Sequence, residues 1–408
     1  MTRRRFFPLV VAASLAVPAV PAAAAGKAEI PCPHPKIAKP SAPPRPVPPA
    51  DDAEALTVGG DALATHGLIV PDGAKRPPAV TATTWIVADL DTGEVLGACG
   101  PHVYQTPASV QKTLLAATAI DKLDPNRKVK IVKSDLDIEV NSSAVGIVVG
   151  GTYQISTLWL GLLLNSGNDA ANALARMAGG GGPDGVATTV AAMNAKAAEL
   201  GAFQTHAVTP SGLDGKGQFT SAYDLALIAR VDFANADFRK YVLTKSAQMP
   251  AQKTPKVGGF QFQNENKLIY NYPGAMGGKT GFTTIARHSY VGAAQRNGRR
   301  LVVTLLGAEA RPMRGWQQGA ALLDWGFAQP AGSSVGHLVT PEEVAASARA
   351  RTATTEKATA GASGIAASPA PKSRGLALLA AGTVAVVLAA MPLLLLLTQR
   401  RRRRISEK

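Results

Sequence analysis

From residue 375 to residue 397 the chain carries no charged side chain and is interrupted only by Pro392, and five arginines, Arg400, Arg401, Arg402, Arg403 and Arg404, follow almost at once. As a helix, such a run spans a hydrocarbon layer of roughly 30 Å. The arginines orient it, because cytoplasmic flanks collect positive charge, so residues 398–408 are expected in the cytoplasm and everything before the span outside. A buried core helix would not sit between a weakly hydrophobic stretch and a block of arginines. The other end of the chain agrees with this placement. Arg3, Arg4 and Arg5 precede an apolar run and then the small residues Ala22–Ala25, so residues 1–25 read as an export signal, compatible with either the general or the twin-arginine route.

Any folded unit must lie between these segments. Residues 26–54 are dense in proline and predict an extended spacer without a core. Residues 331–374 turn to Ala, Ser, Thr and Gly and predict a tether to the span. That leaves 55–330 as the domain. The net charge of +15 sits largely at the two termini, which suits membrane topology and argues against nucleic acid as a partner. An oxidising exterior would allow the two cysteines, Cys32 and Cys99, to pair, but nothing in the sequence brings them together.

Within the domain, apolar runs at 84–90 and 94–98 flank Asp91-Thr92-Gly93, and runs at 289–294 and 301–306 flank Arg296-Asn297-Gly298-Arg299. Both read as β-hairpins, the second with the Asn-Gly pair that tolerates positive φ. Between them, leucines recur at helical spacing near Leu158 and Leu162, and 170–177 and 186–200 are alanine-rich with helical periodicity. Strands, then helices, then strands predict an α+β fold.

Three short signals carry chemistry. Ser109 and Lys112 stand three residues apart after Pro107, a spacing that lets an amine reach a hydroxyl on one helix face; a desolvated lysine could then act as the base that makes the serine nucleophilic. Ser166-Gly167-Asn168 reads as a loop between two helices, with Asp169 a natural cap. Lys279-Thr280-Gly281 lies just before the second hairpin, where a lysine on an edge strand would be unremarkable by itself.

In this order the three resemble the signature of the penicillin-binding and β-lactamase superfamily, in particular its low-molecular-mass D-alanyl-D-alanine carboxypeptidases. Segments at 161–171, 200–201, 209–214, 264–268 and 324–327 extend the resemblance over residues 84–327. It implies an antiparallel sheet flanked by helices, a second and mostly helical lobe, and an active site in the cleft between them. Ser109 would be the acylated nucleophile, Lys112 its base and Ser166 a proton relay. Asn168 would hold the substrate amide, Lys279 and Thr280 the terminal carboxylate, and the N–H groups of Ser109 and Phe282, beside Gly281, the oxyanion. The implied substrate is a peptidoglycan stem peptide ending in D-Ala-D-Ala, with β-lactams as inhibitors. The resemblance needs no cofactor, and the spacing of histidines and cysteines indicates no metal site.

Ile285-Ala286-Arg287-His288 departs from the small residues expected there, and the family's usual second β-domain is missing. Arg287 is expected at solvent, with assistance to Lys279 as the other reading. The glycine run 180–185 follows a helix rather than a strand, and the G-x-S-x-G match at 332–336 lacks a strand–helix elbow, so neither is functional. The open alternatives are an endopeptidase or transpeptidase using the same acyl-enzyme, a class A β-lactamase, which needs a deacylating glutamate before Lys279, and a non-catalytic wall-binding protein.

Overall fold

The computed structural model describes residues 29–38, 41 and 43–363. The expected signal, 1–25, and the expected span, 375–397, lie outside the described residues; among those described, no helix is long and apolar enough to cross a membrane.

Short helix α1 (Ala53–Leu56) and strand β1 (Leu68–Ile69) lead into the first hairpin, β2 (Thr84–Asp89) and β3 (Glu94–Cys99). The chain then turns helical through α2 (Lys112–Ala119), crosses a small hairpin of β4 (Lys128–Lys130) and β5 (Thr152–Gln154), and continues through α3 (Ile155–Leu164), α4 (Asn168–Ala178), α5 (Gly185–Leu200), α6 (Ala222–Ala234) and α7 (Ala236–Leu243). A second small hairpin, β6 (Ser246–Met249) and β7 (Phe260–Gln263), and a turn of helix, α8 (Leu268–Asn271), precede β8 (Ala275–Thr283), β9 (Arg287–Arg296) and β10 (Arg299–Ala308). Helix α9 (Gly315–Phe327), strand β11 (Gly336–His337) and helix α10 (Pro341–Ser363) complete the described chain.

The principal sheet runs β1-β3-β2-β10-β9-β8, all antiparallel, with β11 also paired to β3. Both expected hairpins are present. Asn297 and Gly298 take φ values of 50° and 81°, as a tight turn between twisted strands requires. Each face of the sheet is covered, so the strands read as apolar runs while their side chains still alternate. Trp85, Val87, Leu301, Val303 and Leu305 pack with Leu322, Leu323 and Trp325 of α9. Ile86, Ala88, Val291, Val302 and Leu306 join the larger core built on α2 to α7.

Two expectations about the flanks need correction. The proline-rich segment is extended, but it is fastened to the domain. Cys32 is bonded to Cys99 of β3 with Cα atoms 5.9 Å apart, Leu68 donates its N–H to Ile30 O, His34 Nδ1 bonds Val80 O and Arg45 bonds Gln105. The proposed tether begins as part of the fold: β11 extends the sheet, Leu338 is buried and Tyr223 accepts from the Val339 N–H. From Pro341 the chain is helical, as its alanine content favours.

Candidate active site

The nucleophile candidate sits where three elements meet. Residues Ala108–Gln111 form a 3₁₀ turn that passes directly into α2. Eclipsed i and i+3 side chains in a 3₁₀ turn bring Lys112 over Ser109, so the sequence expectation of a shared face holds with a tighter helix type. Ala108 takes φ 51°, a conformation that costs a non-glycine residue about 1 kcal/mol or more and that points Ser109 into the cleft. The turn is clamped from both sides by glycines. A Cβ on Gly212 would collide with the Ala108 carbonyl, and one on Gly281 would lie 2.9 Å from Ser109 N and 3.0 Å from Val110 N. Glycine at both positions lets the loop after α5 and the edge strand β8 approach this closely.

Lys112 is fully buried, and its Nζ contacts Ser109 Oγ at 2.8 Å, Asn168 Oδ1 at 2.7 Å and Ser211 O at 2.8 Å. Burial holds its pKa well below the ordinary lysine value; the charge of Lys279 lowers it further, against the pull of Asp169 and Glu265. A neutral amine has two N–H donors and one lone pair. With Asn168 and Ser211 as acceptors, the lone pair is left for the Ser109 hydroxyl proton.

Lys279 is buried as well, and donates to Ser166 Oγ at 3.0 Å and Thr280 O at 2.6 Å. Burial brings its pKa down to about 8, with Glu265 opposing the shift, so near neutral pH Lys279 is largely charged, and that charge together with burial favours the neutral form of Lys112. The edge-strand reading of Lys279 is correct for its position on β8. Its side chain, however, turns inward.

Ser166 itself has φ 61° and is held at the α3–α4 junction. Asp169, one residue into α4, is buried, and its carboxylate accepts N–H groups of Val145, Gly146, Ile147 and Ala170. It therefore fastens the loop ahead of α3 instead of acting as a simple cap. Arg176 and Asp135 form a buried two-pronged pair at 2.7 and 2.8 Å that ties α4 to the turn at Lys133–Leu136.

The cleft beside these groups measures about 600 Å³ and is lined by Ser109, Ser166, Thr280, Gly281 and Phe282 among others. All eight residues singled out from the sequence thus converge: Ser109 on the nucleophile turn, Lys112 at the start of α2, four on β8, and Ser166 and Asn168 on the facing helical lobe. Two details differ from expectation. The oxygen of Asn168 is engaged by Lys112, leaving its amide N–H groups for a substrate. The ammonium of Lys279 faces Ser166, so Thr280 forms the accessible part of that wall. Arg287 is neither solvent-directed nor near Lys279; it forms a two-pronged pair with Glu309 at 2.9 and 2.6 Å and lies over Phe282.

The sequence did not single out Ser211, Glu265, Arg311 or Arg314. The first supplies a carbonyl to Lys112 and the other three line the cleft. Ser211 and Glu265 fall in segments that carry the resemblance, whereas nothing local distinguishes the arginines.

A sequence profile of the D-alanyl-D-alanine carboxypeptidase family matches residues 72–310. The chain belongs to this family. It is 46% identical over 275 residues to the D-alanyl-D-alanine carboxypeptidase DacB2 of Mycobacterium tuberculosis, an alignment that covers 66% of this chain and 90% of that protein. Identity to DacD of Salmonella typhimurium is 33%, covering 62% of this chain and 64% of the relative. Among solved structures, a D-alanyl-D-alanine carboxypeptidase from Mycobacterium tuberculosis superposes with a TM-score of 0.61 at 46% identity, over 66% of this chain and all of that one. A Streptomyces DD-transpeptidase gives 0.59 at 30% identity, over 62% of this chain and 99% of the other. Membership in the D-alanyl-D-alanine carboxypeptidase family makes the chain a serine hydrolase, and the mixed α/β fold with an antiparallel sheet is the family's own.

Proposed function

We propose that this serine D-Ala-D-Ala carboxypeptidase removes the terminal D-alanine of peptidoglycan stem peptides by way of an ester on Ser109. The carrying observation is the 2.8 Å contact between Ser109 Oγ and a fully buried Lys112 whose pKa is depressed. Neutral Lys112 takes the hydroxyl proton as Oγ bonds to the carbonyl carbon between the two D-alanines. The N–H groups of Ser109 and Phe282 receive the developing oxyanion. Collapse breaks the C–N bond; the proton, passed through Ser166 beside charged Lys279, goes to the nitrogen of the leaving D-alanine. Water then attacks the ester, Lys112 again takes a proton, and the shortened peptide leaves with a new carboxylate. Thr280 binds the substrate's terminal carboxylate, with the charge of Lys279 behind it.

Residues 1–25 act in this reading as the export signal, and 375–397 fix the enzyme to the plasma membrane with its cleft outside. The uncharged run and the arginines after it support that placement. Transpeptidation differs only in an amine replacing water, and the likeness to a Streptomyces DD-transpeptidase keeps it in view.

The test uses the full-length protein in detergent with a D-Ala-D-Ala pentapeptide, followed by mass spectrometry, beside Ser109→Ala. One D-alanine released by the wild type and none by the variant supports the assignment. Release by both, or by neither, refutes it. Added amine acceptor separates hydrolysis from transfer, and a fluorescent penicillin should label the wild type alone.

A further inference from the structure

Glu265 stands out in the cleft by charge. The other ionisable side chains lining it are His288, whose pKa burial lowers, Tyr290, whose pKa burial raises, and the exposed Arg311 and Arg314, while Lys112 and Lys279 lie buried behind the wall. Among the described residues, Glu265 is therefore the anionic side chain on an otherwise cationic lining. It is exposed, and among the described residues no ion pair or side-chain hydrogen bond engages it.

Its mount is rigid. Residues 264 to 266 alternate buried, exposed, buried. Asn264 donates to Val242 O and Thr244 O, both at 3.0 Å, and Asn266 Oδ1 accepts the Leu268 N–H and the Tyr290 hydroxyl, both at 3.1 Å. Glu265 N donates to Leu164 O at 3.0 Å, two residues before Ser166, which places the carboxylate on the helical-lobe wall. A carboxylate fixed here repels an anionic substrate unless the substrate brings a cation to it. The terminal carboxylate of the substrate belongs at Thr280 and Lys279, so the cation must come from elsewhere on the peptide.

We propose that Glu265 selects acyl donors whose residue preceding D-Ala-D-Ala carries a free side-chain ammonium, by pairing with that ammonium across the cleft. This rests on the D-Ala-D-Ala reading above. A partly hydrated pair of this kind is worth about fivefold in kcat/KM and weakens with salt.

The experiment compares two pentapeptides ending in Lys-D-Ala-D-Ala, one with the lysine amine free and one with it acetylated, on the full-length wild type, Glu265→Gln and Glu265→Asp. The readout is the ratio of kcat/KM for the two peptides, in which any general effect of Glu265 on the two lysines cancels. The wild type should favour the free amine about fivefold, Glu265→Gln should bring the ratio close to one, and Glu265→Asp should restore part of it. A wild-type ratio near one, or a ratio unchanged in Glu265→Gln, overturns the proposal. So does an equal fall on both peptides with accumulating acyl-enzyme, which would assign Glu265 to the hydrolytic step. Absence of D-alanine release from either peptide by the wild type would instead remove the underlying carboxypeptidase reading.

Discussion

Gly281→Ala isolates how closely β8 must approach the nucleophile. The strand conformation at Gly281 is open to alanine, because its φ lies outside the left-handed region, so the effect of the change is steric. The new methyl would lie 2.9 Å from Ser109 N, 3.0 Å from Val110 N and 3.2 Å from Ala108 Cβ. Ordinary contact begins at 3.4 Å, so strand and turn must separate by about 0.5 Å. Overpacking of this size costs roughly 1–3 kcal/mol of stability, which a domain with two buried cores withstands. The chemistry is less tolerant. Misplacement by 1 Å costs on the order of 10²-fold, so half that distance between the Ser109 and Phe282 N–H groups should slow acylation about tenfold. Stopped-flow acylation by a fluorescent penicillin, beside a thermal melt, measures both. An acylation rate within twofold of wild type in a protein that melts normally would refute the idea that this contact shapes the oxyanion site.

Lys112→Met should lower penicillin acylation by about 10²- to 10⁴-fold, as loss of a general base does, and an acylation rate close to wild type would remove Lys112 from that role. The pH profile of wild-type acylation should be bell-shaped, rising as Lys112 loses its proton and falling above about 8 as Lys279 does; a profile that keeps rising past pH 9 contradicts the assigned charges. Asp232 is buried with neither carboxylate oxygen bonded, and burial raises its pKa well above 3.8; burial likewise raises Asp224, to about 7. For each group the unfolded chain loses its proton first, so stability falls by up to about 1.4 kcal/mol per pH unit from pH 4 towards the folded pKa. Asp232→Ala should flatten that slope and raise the denaturation midpoint at pH 8 relative to wild type; an unaltered slope refutes it. Reducing the Cys32–Cys99 bond, which spans 67 residues, should cost about 4 kcal/mol of stability while leaving acylation at 20 °C unchanged, and a melting temperature insensitive to reductant would refute it.

The parts of the fold legible in the sequence were those whose signals are local. The turns at Asp91-Thr92-Gly93 and Asn297-Gly298 and the alanine-rich helices announce themselves within ten or so residues. Ser109, Lys112, Ser166, Asn168 and Lys279 were identifiable because their spacing and order resemble a known family. The bonds among them were not. Ser211 reaches Lys112 through its carbonyl, a group every residue carries. Glu265 owes its place in the cleft to a backbone bond to Leu164 at the end of α3, and Arg311 to the turn that follows β10. Arg287 turned to Glu309, a partner that no pattern near either residue indicates. The flanks misled for a related reason. Backbone bonds such as Leu68 N to Ile30 O leave no trace in composition, and a strand of two residues, Gly336–His337, is shorter than any periodicity.

Those flanks bear on mechanics. The covalent bond from Cys32 and the pairing of β11 both fall on β3, so the chain enters and leaves the folded unit against the same strand. Four inter-strand steps, about 19 Å, separate β3 from β8. Tension from the C-terminal side meets the Val339–Tyr223 bond and buried Leu338 before it reaches β11, whereas tension from the N-terminal side reaches β3 through the Cys32 bond. The nucleophile turn packs against β8 and β9, toward the other end of the sheet.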